Sequence, residues 1–260
     1  MTETEPPSPP AQAEIDRDYP VCHVAFIDIL GFTNKILAIR NDGESFKEIE
    51  YLQNAIQIIV RQVLRPPAII GFERIFGDIK SIAFSDCLVL SVEKGKGPLT
   101  YLIDAVISVC RVLISRGALP RGGVATGRLS HRGNVVFGEG QIRAFQLEQG
   151  AAKYPRVILD PVTVELWEDA MSELMLHRNR EMVIRDDDGI HIVDIFHKTT
   201  LRDDSDFYRN SGEALQRMLN QPGVPLDAWA KIVWMAERFN AAASRIGFSP
   251  PVAIPARPIR

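Results

Sequence analysis

The sequence predicts an α+β fold, on the basis of three patterns along the chain. Apolar runs of strand length, such as residues 21–30 and 87–92, hold few polar side chains, as strands covered on both faces do. Longer segments, such as residues 99–113, repeat apolar side chains every three or four positions, which is the helical period. Three pairs of predicted strands are joined by short turns, and this mixture of hairpins and helical connections is typical of an α+β domain.

The first half of the domain is predicted as strand, helix, strand, strand. Asp28 is the single carboxylate of the first strand, and Asp86 lies at the tip of the turn between the second and third strands. The predicted bounds are a strand at residues 21–30, a helix from the turn at 31–33 to about 63, and strands at 82–84 and 87–92.

The second half is predicted as helix, hairpin, helix, strand, followed by a further hairpin and two helices. In the last helix an apolar stripe faces the core, and Asp227 is the expected N-cap. The predicted bounds are a helix at 99–113, a hairpin of strands 121–129 and 134–137 across residues 130–133, a helix at 139–153, a strand at 156–160, a hairpin at 182–196 and helices at 205–219 and 227–246.

Composition and charge exclude several classes of protein. The 260 residues are 46% apolar, which is enough to bury a core, and the net charge of −3 comes with no basic run that would bind nucleic acid. The apolar runs are too short for a membrane span, and the acidic start is unlike a secretory signal, so we expect a cytoplasmic protein with no membrane or nucleic-acid partner. Cys22, Cys87 and Cys110 have no paired spacing and are expected to be buried free thiols.

Asp28 and Asp86 are the side chains that indicate chemistry. An isolated aspartate at a strand end more often accepts backbone N–H groups or caps a helix. Here two carboxylates interrupt apolar strands, and an unpaired buried charge is costly. If the strands are neighbours, both lie at one rim beside the turn at residues 31–33, whose N–H groups suit phosphate. The pattern predicts a two-cation site for Mg²⁺ or Mn²⁺ and a nucleotidyl or phosphoryl transfer.

Four motifs resemble the catalytic domain of class III adenylate and guanylate cyclases in order and approximate spacing. They are Phe-Ile-Asp-Ile-Leu-Gly-Phe-Thr at residues 26–33, Phe-Ser-Asp at 84–86, Arg-Gly-Gly-Val-Ala-Thr-Gly at 121–127, and Gly138 followed by Ala-Phe-Gln-Leu-Glu at 144–148. The resemblance implies a ferredoxin-like βαββαβ core, which agrees with the order of elements above. It covers about residues 20–165. We expect residues 166–248 to extend the same domain, and the proline-rich residues 1–19 and 249–260 to be disordered tails.

The resemblance also implies roles for individual residues. Asp28 and Asp86 would bind both divalent cations with help from the Ile29 carbonyl, and the backbone amides of Gly31, Phe32 and Thr33 would hold the nucleotide phosphates. The family further implies a homodimer with active sites at the subunit interface. Gly77-Asp78 is a rival for the second metal motif, but Asp86 is preferred because an apolar strand follows it directly.

The sequence departs from the family at the positions that complete catalysis. Ile142 stands where purine cyclases have an asparagine that steadies the ribose, and Gln146 stands where they have an arginine that stabilises the transition state. Arg143 is a candidate for the missing cation, and a solvated helix arginine is an equal alternative. Tyr51 lies off the apolar stripe of the first helix, so it is either a nucleotide-binding side chain or an ordinary half-exposed tyrosine.

The positions that read a purine base are also changed. They fall on about Ile82 and Val135, whose apolar side chains offer no donor or acceptor to a purine edge, while Lys80 is a possible source of polar recognition. Phe-Ser-Asp at 84–86 serves as the second metal motif, a Gly-x-x-x-x-x-Ala-x-x-Leu-Glu pattern begins at Gly138, and Tyr-Pro-Arg at 154–156 opens the next strand. In these motifs the chain resembles the pyrimidine cyclases of bacterial Pycsar antiphage systems, which implies synthesis of cyclic UMP or cyclic CMP for a separate sensing effector. The alternatives are a purine cyclase and a degenerate domain that binds nucleotide or a partner without chemistry.

Overall fold

A computed structural model of the chain describes residues 19–32, 71–173, 179–197 and 204–256, together with several helical residues between 46 and 56. The elements alternate between strands and helices along most of that length. They are β1 (Val21–Ile29), α1 (Phe72–Phe76), β2 (Lys80–Phe84), β3 (Cys87–Glu93), α2 (Lys96–Ser115), β4 (Pro120–Arg128), β5 (Ser130–Arg132), β6 (Val135–Phe137), α3 (Glu139–Gly150), β7 (Val157–Leu159), α4 (Pro161–Glu173), a 3₁₀ turn (Arg180–Met182), β8 (Val183–Arg185), β9 (His191–Val193), α5 (Ser205–Asn220) and α6 (Leu226–Arg245).

Seven strands form one mixed sheet in the order β2-β3-β1-β4-β7-β9-β8. The first four are antiparallel neighbours, with β1 between β3 and β4. Strand β7 lies parallel to β4, so the chain crosses over between them through α3. The order β2-β3-β1-β4 is that of a ferredoxin-like βαββαβ core. The predicted α+β fold is therefore confirmed, although most of the helix predicted after β1 lies outside the described residues.

One face of the sheet carries the main core. Helix α2 lies at its centre, and most of its 20 residues are buried against the sheet and against α4 and α5. By length and composition α2 is also apolar enough to cross a membrane, but its side chains are mostly enclosed here, as in the central helix of a globular core. Helix α6 adds Phe239 and Ala236 to the same core.

The other face is covered less completely. Helix α3 packs across β1 and β4, and a small apolar cluster that includes Val24, Phe26 and Ala144 lies beneath it. The short β5–β6 hairpin forms a separate two-stranded sheet near the same cluster. Side chains of β2 and α3 remain exposed on this face, among them Phe84, Ile142 and Phe145.

The prediction that residues 121–129 form a hairpin with residues 134–137 is wrong, because the two segments do not pair with each other. Strand β4 pairs with β1 and β7, while residues 135–137 pair with residues 130–132. Leu129 interrupts the two runs because its N–H donates to the Pro20 carbonyl, and the turn falls at Gly133, whose φ of 56° suits a tight hairpin. Only Leu129 separates β4 from β5, so the sequence pattern does not show where one strand ends and the next begins.

Other differences concern helices and the C-terminal end. Helix α4 was not predicted. Helix α6 begins one residue before Asp227, which therefore lies in the first turn and pairs with Lys231 instead of capping the helix. Part of the segment predicted as a C-terminal tail lies against the helices, since Val252 is buried and bonds to Asn240. Helix α1 was not predicted either, whereas the remaining described strands and helices agree with the predicted positions to within a few residues at each end.

Candidate metal and nucleotide site

Strand pairing brings the two predicted aspartates together. Asp28 is the penultimate residue of β1 and faces Cys87, the first residue of β3, in the antiparallel register. Asp86 immediately precedes Cys87 in the turn after β2, where Ser85 takes a left-handed φ of 52°. One ligand atom from each of Asp28, Asp86 and Cys87 lies within 4.8 Å of the others. The structure thus places Asp86 beside Asp28, whereas Asp78 lies before the opposite end of β2.

Cys87 lies between the two carboxylates. Its Sγ is 3.8 Å from Oδ1 of Asp28 and 3.7 Å from Oδ1 of Asp86. Burial first, and then the charges of Asp28 and Asp86, raise the pKa of this thiol to about 12. The protonated sulfur therefore acts as a weak hydrogen-bond donor to the carboxylates. The prediction of buried free thiols holds for Cys22 and Cys110, while Cys87 is half-buried at the site.

Arg121 and Glu148 complete the cluster, and no role was predicted for either residue. Arg121 of β4 faces Asp28 in the register, with Nη2 3.2 Å from Oδ2 of Asp28. The same nitrogen pairs with Oε1 of Glu148, a fully buried carboxylate on α3. Both residues belong to motifs singled out above. The sequence did contain one signal for Glu148. It is a carboxylate four residues after Ala144, so it falls on the buried side of an otherwise polar helix.

Close packing of α3 on β4 sets the position of Glu148. Gly123 lies under the helix, and a Cβ there would collide with the Ala144 carbonyl and lie 2.7 Å from Cβ of Leu147. Because residue 123 is a glycine, α3 lies close enough to β4 for Glu148 to contact Arg121. The close packing of α3 on β4 therefore places Glu148 in the site.

The electrostatics of the cluster suit a cation. Burial raises the pKa of Asp28, the charge of Asp86 raises it further, and the hydrogen bond from Arg121 opposes both effects. Burial likewise raises the pKa of Glu148, against the charge of Arg121. Three carboxylates thus face one guanidinium. A divalent cation between Asp28 and Asp86 would remove their repulsion, and carboxylate oxygens are the ligands that Mg²⁺ and Mn²⁺ prefer, so the residues fit the predicted metal site.

The turn after β1 is described only in part. Ile29 ends the strand opposite Pro120, and Gly31 adopts a φ of 80° that glycine tolerates best. Phe32 is buried in the main core, which anchors the turn beside Asp28. Thr33 lies outside the described residues. Tyr51 is exposed, and its predicted contact with nucleotide stays a prediction.

Arg143 is not brought to the aspartates of its own chain. Its Nη2 lies 2.6 Å from Glu139, and its Nη1 lies 3.5 Å from the Thr126 carbonyl and 4.0 Å from Asp160. Thr126 is five positions beyond Arg121 along β4, which corresponds to roughly 16 Å of strand. A catalytic role for Arg143 toward another subunit stays a prediction. Ile142 and Gln146 lie exposed on α3, so neither is used inside the fold.

The structure is similar to solved nucleotidyl cyclase domains at low sequence identity. It matches the monomeric guanylyl cyclase domain of the RhoGC fusion protein from the aquatic fungus Blastocladiella emersonii with a TM-score of 0.46 and 12% identity, over 67% of this chain and 95% of that one. It matches the catalytic core of a rhodopsin-guanylyl cyclase with converted specificity, in complex with ATPαS, with a TM-score of 0.40 and 11% identity, over 57% of this chain and 80% of that one.

A third similar structure is a class III adenylyl cyclase-like ATP-binding protein from Pseudomonas aeruginosa, with a TM-score of 0.39 and 10% identity, over 60% of this chain and 40% of that one. No protein-family profile matches the sequence, and no curated protein matches it.

Proposed function

We propose that this protein is a divalent-cation-dependent nucleotidyl cyclase. The observation that carries the proposal is the juxtaposition of Asp28 and Asp86 at one end of a βαββαβ sheet, beside the turn at Gly31. The substrate is a ribonucleoside triphosphate, and the products are the 3′,5′-cyclic monophosphate and pyrophosphate. The motif resemblance given above supports the same reaction class.

Asp28 and Asp86 would hold Mg²⁺ or Mn²⁺, and bound cations supply charge neutralisation at the phosphoryl group and a more acidic hydroxyl. Arg121 lies beside this position with a guanidinium that suits phosphate oxygens. Glu148 pairs with the same nitrogen of Arg121 that contacts Asp28, and so helps to hold the guanidinium beside the aspartates. The Gly31 turn adds backbone N–H groups at a helix start, which favour anions.

The reaction balances with groups present on the substrate. The 3′ oxygen forms a bond to the α-phosphorus and its proton passes to solvent water, while the bond from the α-phosphorus to the bridging oxygen breaks and pyrophosphate leaves. Arg121 stabilises negative charge that builds on the phosphate oxygens, and the half-buried Asp28 carboxylate is kept in place by two neighbouring strands. The protein would thus contribute by positioning the substrate and by stabilising the charge on the phosphate oxygens.

The base preference proposed is for UTP or CTP. Ile82 is partly buried against the small apolar cluster, and Val135 is exposed on the β5–β6 hairpin. Neither side chain can hydrogen-bond a purine edge. The cyclic pyrimidine nucleotide would act as an alarm signal in the cytoplasm, read by a separate effector protein.

A homodimer is part of the proposal. Ile142 and Phe145 on α3 and Phe84 at the end of β2 are 57%, 45% and 50% exposed on the less covered face of the sheet. Apolar side chains grouped around a site are typical of an interface core. A second copy on this face would supply contacts that Ile142 and Gln146 do not.

A binding domain without chemistry is the second candidate. It is favoured by the uncharged Ile142 and Gln146 at the family's catalytic positions, and by Arg143 being engaged with Glu139. Such a protein would bind nucleotide and cation and leave the triphosphate intact.

Mass spectrometry of products separates these candidates. The purified full chain is incubated with UTP, CTP, ATP and GTP, each with Mn²⁺ and with a chelator. We expect cyclic UMP or cyclic CMP only with Mn²⁺, and loss of turnover in Asp28→Asn and Asp86→Asn. The exposed Asp227→Asn, whose partner is Lys231 on the distant α6, is the matched control and keeps normal activity. Tight nucleotide binding with no product contradicts the cyclase and supports the binding domain, while a preference for ATP or GTP refutes the pyrimidine assignment.

A further inference from the structure

A cavity of about 400 Å³ lies between α6 and the β8–β9 hairpin. In the order of the sheet β9 is three strands away from β1, so the cavity is separate from the aspartate site. One wall is β9 with the residues that follow it. The opposite wall is one face of α6, where helical spacing brings together Trp234, Arg238, Ala241 and Arg245. A cavity of this volume suits one small molecule.

The walls of the cavity are mainly apolar. Ile192 and Phe196 are buried residues of the β9 wall, and Trp234 on α6 is partly exposed. The indole ring of Trp234 is held in place, because the ring of Tyr154 stacks on it with centroids 5.4 Å apart and the guanidinium carbon of Arg238 lies 4.2 Å from its centre. Preformed walls of this kind suit an apolar side chain.

Two of the arginines in the lining are already engaged inside the protein. Arg156 and Arg238 both pair with the buried Asp186. Arg245, in the last turn of α6, is exposed and has no ion-pair or hydrogen-bond partner in the part of the chain that the structure describes. The guanidinium of Arg245 is therefore available to a carboxylate.

Asp194 supplies a negative charge to the same cavity. The residue is half-buried, and its Oδ1 accepts the Phe196 N–H at 3.0 Å, whereas its Oδ2 has no hydrogen-bond partner among the described residues. Burial raises the pKa of Asp194, against the Phe196 N–H and the charge of Arg245, so its negative charge is incompletely compensated. Asp194 and Arg245 do not form an ion pair with each other. The cavity thus offers one carboxylate and one guanidinium that a ligand could bridge.

We propose that this cavity binds a free α-amino acid with an apolar side chain. Its ammonium group donates to Oδ2 of Asp194, its carboxylate accepts from Arg245, and its side chain lies against Trp234 and the β9 wall. An anion such as a fatty acid would leave Asp194 unpaired, and an amine would leave Arg245 unpaired, whereas an amino acid satisfies both groups. This inference goes beyond the proposed function and does not depend on it. It gives a binding role to the part of the chain that the cyclase motifs do not cover.

Isothermal titration calorimetry with amino acids tests the cavity. The full chain is titrated with leucine, phenylalanine and tryptophan in the presence of a chelator and without nucleotide, so that the aspartate site does not contribute. We expect at least one of them to bind with a Kd below about 1 mM. The N-acetyl derivative of the tightest ligand lacks the ammonium group, and its amide lacks the carboxylate. Each derivative should bind about tenfold more weakly or not at all, because each loses one charge-assisted contact.

Two variants assign the contacts to this cavity. Asp194→Asn keeps an oxygen that accepts the Phe196 N–H and removes the charge, so affinity should fall about tenfold or more. Arg245→Ala, at an exposed position, should weaken binding severalfold, whereas Arg217→Ala, an exposed arginine in the last turn of α5, is the matched control and leaves binding unchanged.

Three results overturn the proposal: no binding by any of the three amino acids, derivatives that bind as tightly as the parent amino acid, or unchanged affinity in either cavity variant. If Asp194→Asn does not fold, the N-acetyl derivative tests the same contact on the parent protein. Because no nucleotide or cation is present, failure here leaves the cyclase untouched, and failure of the cyclase leaves this result standing.

Discussion

Asp86 offers a sharp test of the metal assignment through stability. Its charge raises the pKa of Asp28, so the two carboxylates repel each other in the cation-free protein. Asp86→Asn removes that repulsion and leaves the Asp28 pairing with Arg121 intact, so we expect stability without cation to be equal or higher than in the parent. Mn²⁺ should raise the melting temperature of the parent and not of this variant, because a ligand stabilises only the state that binds it.

Differential scanning fluorimetry with increasing Mn²⁺ measures this effect. Asp227→Asn is again the matched control, and its melting temperature should rise with Mn²⁺ as the parent's does. A shift of the same size in Asp86→Asn would remove Asp86 from the metal site.

His23 predicts how stability depends on pH. Its side chain is buried, Nδ1 lies 2.9 Å from the Thr126 hydroxyl, and the Gly95 N–H donates to Nε2 at 3.1 Å. Burial is the main cause that lowers the pKa of His23 from 6.5 to about 4. Between those values the unfolded chain binds a proton that the folded chain does not, so stability falls as pH falls from 6.5 to 4.

The contribution of His23 to this loss reaches about 3 kcal/mol at pH 4. Urea unfolding at pH 7, 6, 5 and 4 measures it. His23→Gln should be less stable at pH 7 and should show a shallower decline below pH 6.5. The decline does not vanish, because burial also lowers the pKa of His131. An equally steep decline in His23→Gln would contradict the assignment.

The two aspartates were predictable from the sequence because Asp28 interrupts an apolar strand and Asp86 lies in a short turn between two apolar strands, and both patterns are visible without a structure. Arg121 and Glu148 were not predicted, because their meaning depends on a contact between β4 and α3 that no local pattern reveals. Cys87 was expected to be buried, and its place between two carboxylates follows from the register of β1 and β3. Residues with unusual local surroundings could be identified from the sequence, whereas contacts between residues far apart in the chain could not.

At the scale of elements, the approach of α3 to β4 can be tested with two glycines. Gly123→Ala places a Cβ against the Ala144 backbone, which cannot move without shifting the helix, so we expect a loss of about 1–3 kcal/mol and reduced turnover as Glu148 is displaced. Gly150→Ala, at the end of the same helix, meets no atom within 4 Å. It should be neutral or slightly stabilising, since alanine favours the helix. Chemical denaturation of both variants measures the difference, and equal stabilities would refute the close-packing argument.

The hairpin of β8 and β9 depends on a buried ion pair in its turn. Arg156 lies 2.5 Å from Asp186 and both side chains are almost fully buried, and Arg238 also pairs with Asp186. Asp186→Ala leaves Arg156 buried with only Asp188, so we expect a loss of about 3 kcal/mol. The adjacent Asp187 is fully exposed, and Asp187→Ala should change stability by less than about 0.5 kcal/mol. Thermal unfolding of both variants measures the difference. A similar loss of stability in both would show that the hairpin depends on its turn and not on the buried ion pair.

Most elements were predictable, since the spacing of apolar residues and the turn residues define strands such as β1 and helices such as α2. Which elements pair with each other was harder to predict. The β5–β6 hairpin depends on a break at Leu129 caused by a hydrogen bond to Pro20, which is remote in sequence. Helix α4 follows β7 directly, and Asp160 accepts a hydrogen bond from the Thr163 N–H at its first turn, a capping signal that the preceding apolar strand obscured.

At the scale of the whole molecule, the proposed homodimer should depend on α3. Ile142→Lys places a charge on the exposed apolar face, so we expect dissociation at micromolar concentration and loss of turnover with an unchanged circular dichroism spectrum. Analytical ultracentrifugation measures the assembly. Val162→Lys, an exposed apolar position on α4, is the matched control and should remain dimeric. A parent protein that is monomeric and fully active would refute the dimer.

Shared active sites are tested by mixing two inactive variants. An Asp28→Ala/Asp86→Ala double variant lacks the metal ligands, and Arg143→Ala lacks the cation proposed to act on the partner. Mixed dimers would then hold one intact site, and turnover should recover towards about a quarter to a half of the parent level. No recovery, with mixed dimers shown to form, would assign Arg143 to the ion pair with Glu139 alone.

The central position of β1 has a consequence for synthesis of the chain. This strand leaves the ribosome before its partners, which are residues 87–93 and 120–128. At ordinary rates of about 5–20 residues per second, β1 waits several seconds before both of its edges are paired. During that interval one of the most apolar segments of the protein is an open template for another nascent chain. Asp28 meets its partner Arg121 only after β4 has been made, so during that interval β1 carries an unpaired charge, and charged side chains on an open strand edge disfavour pairing with other chains.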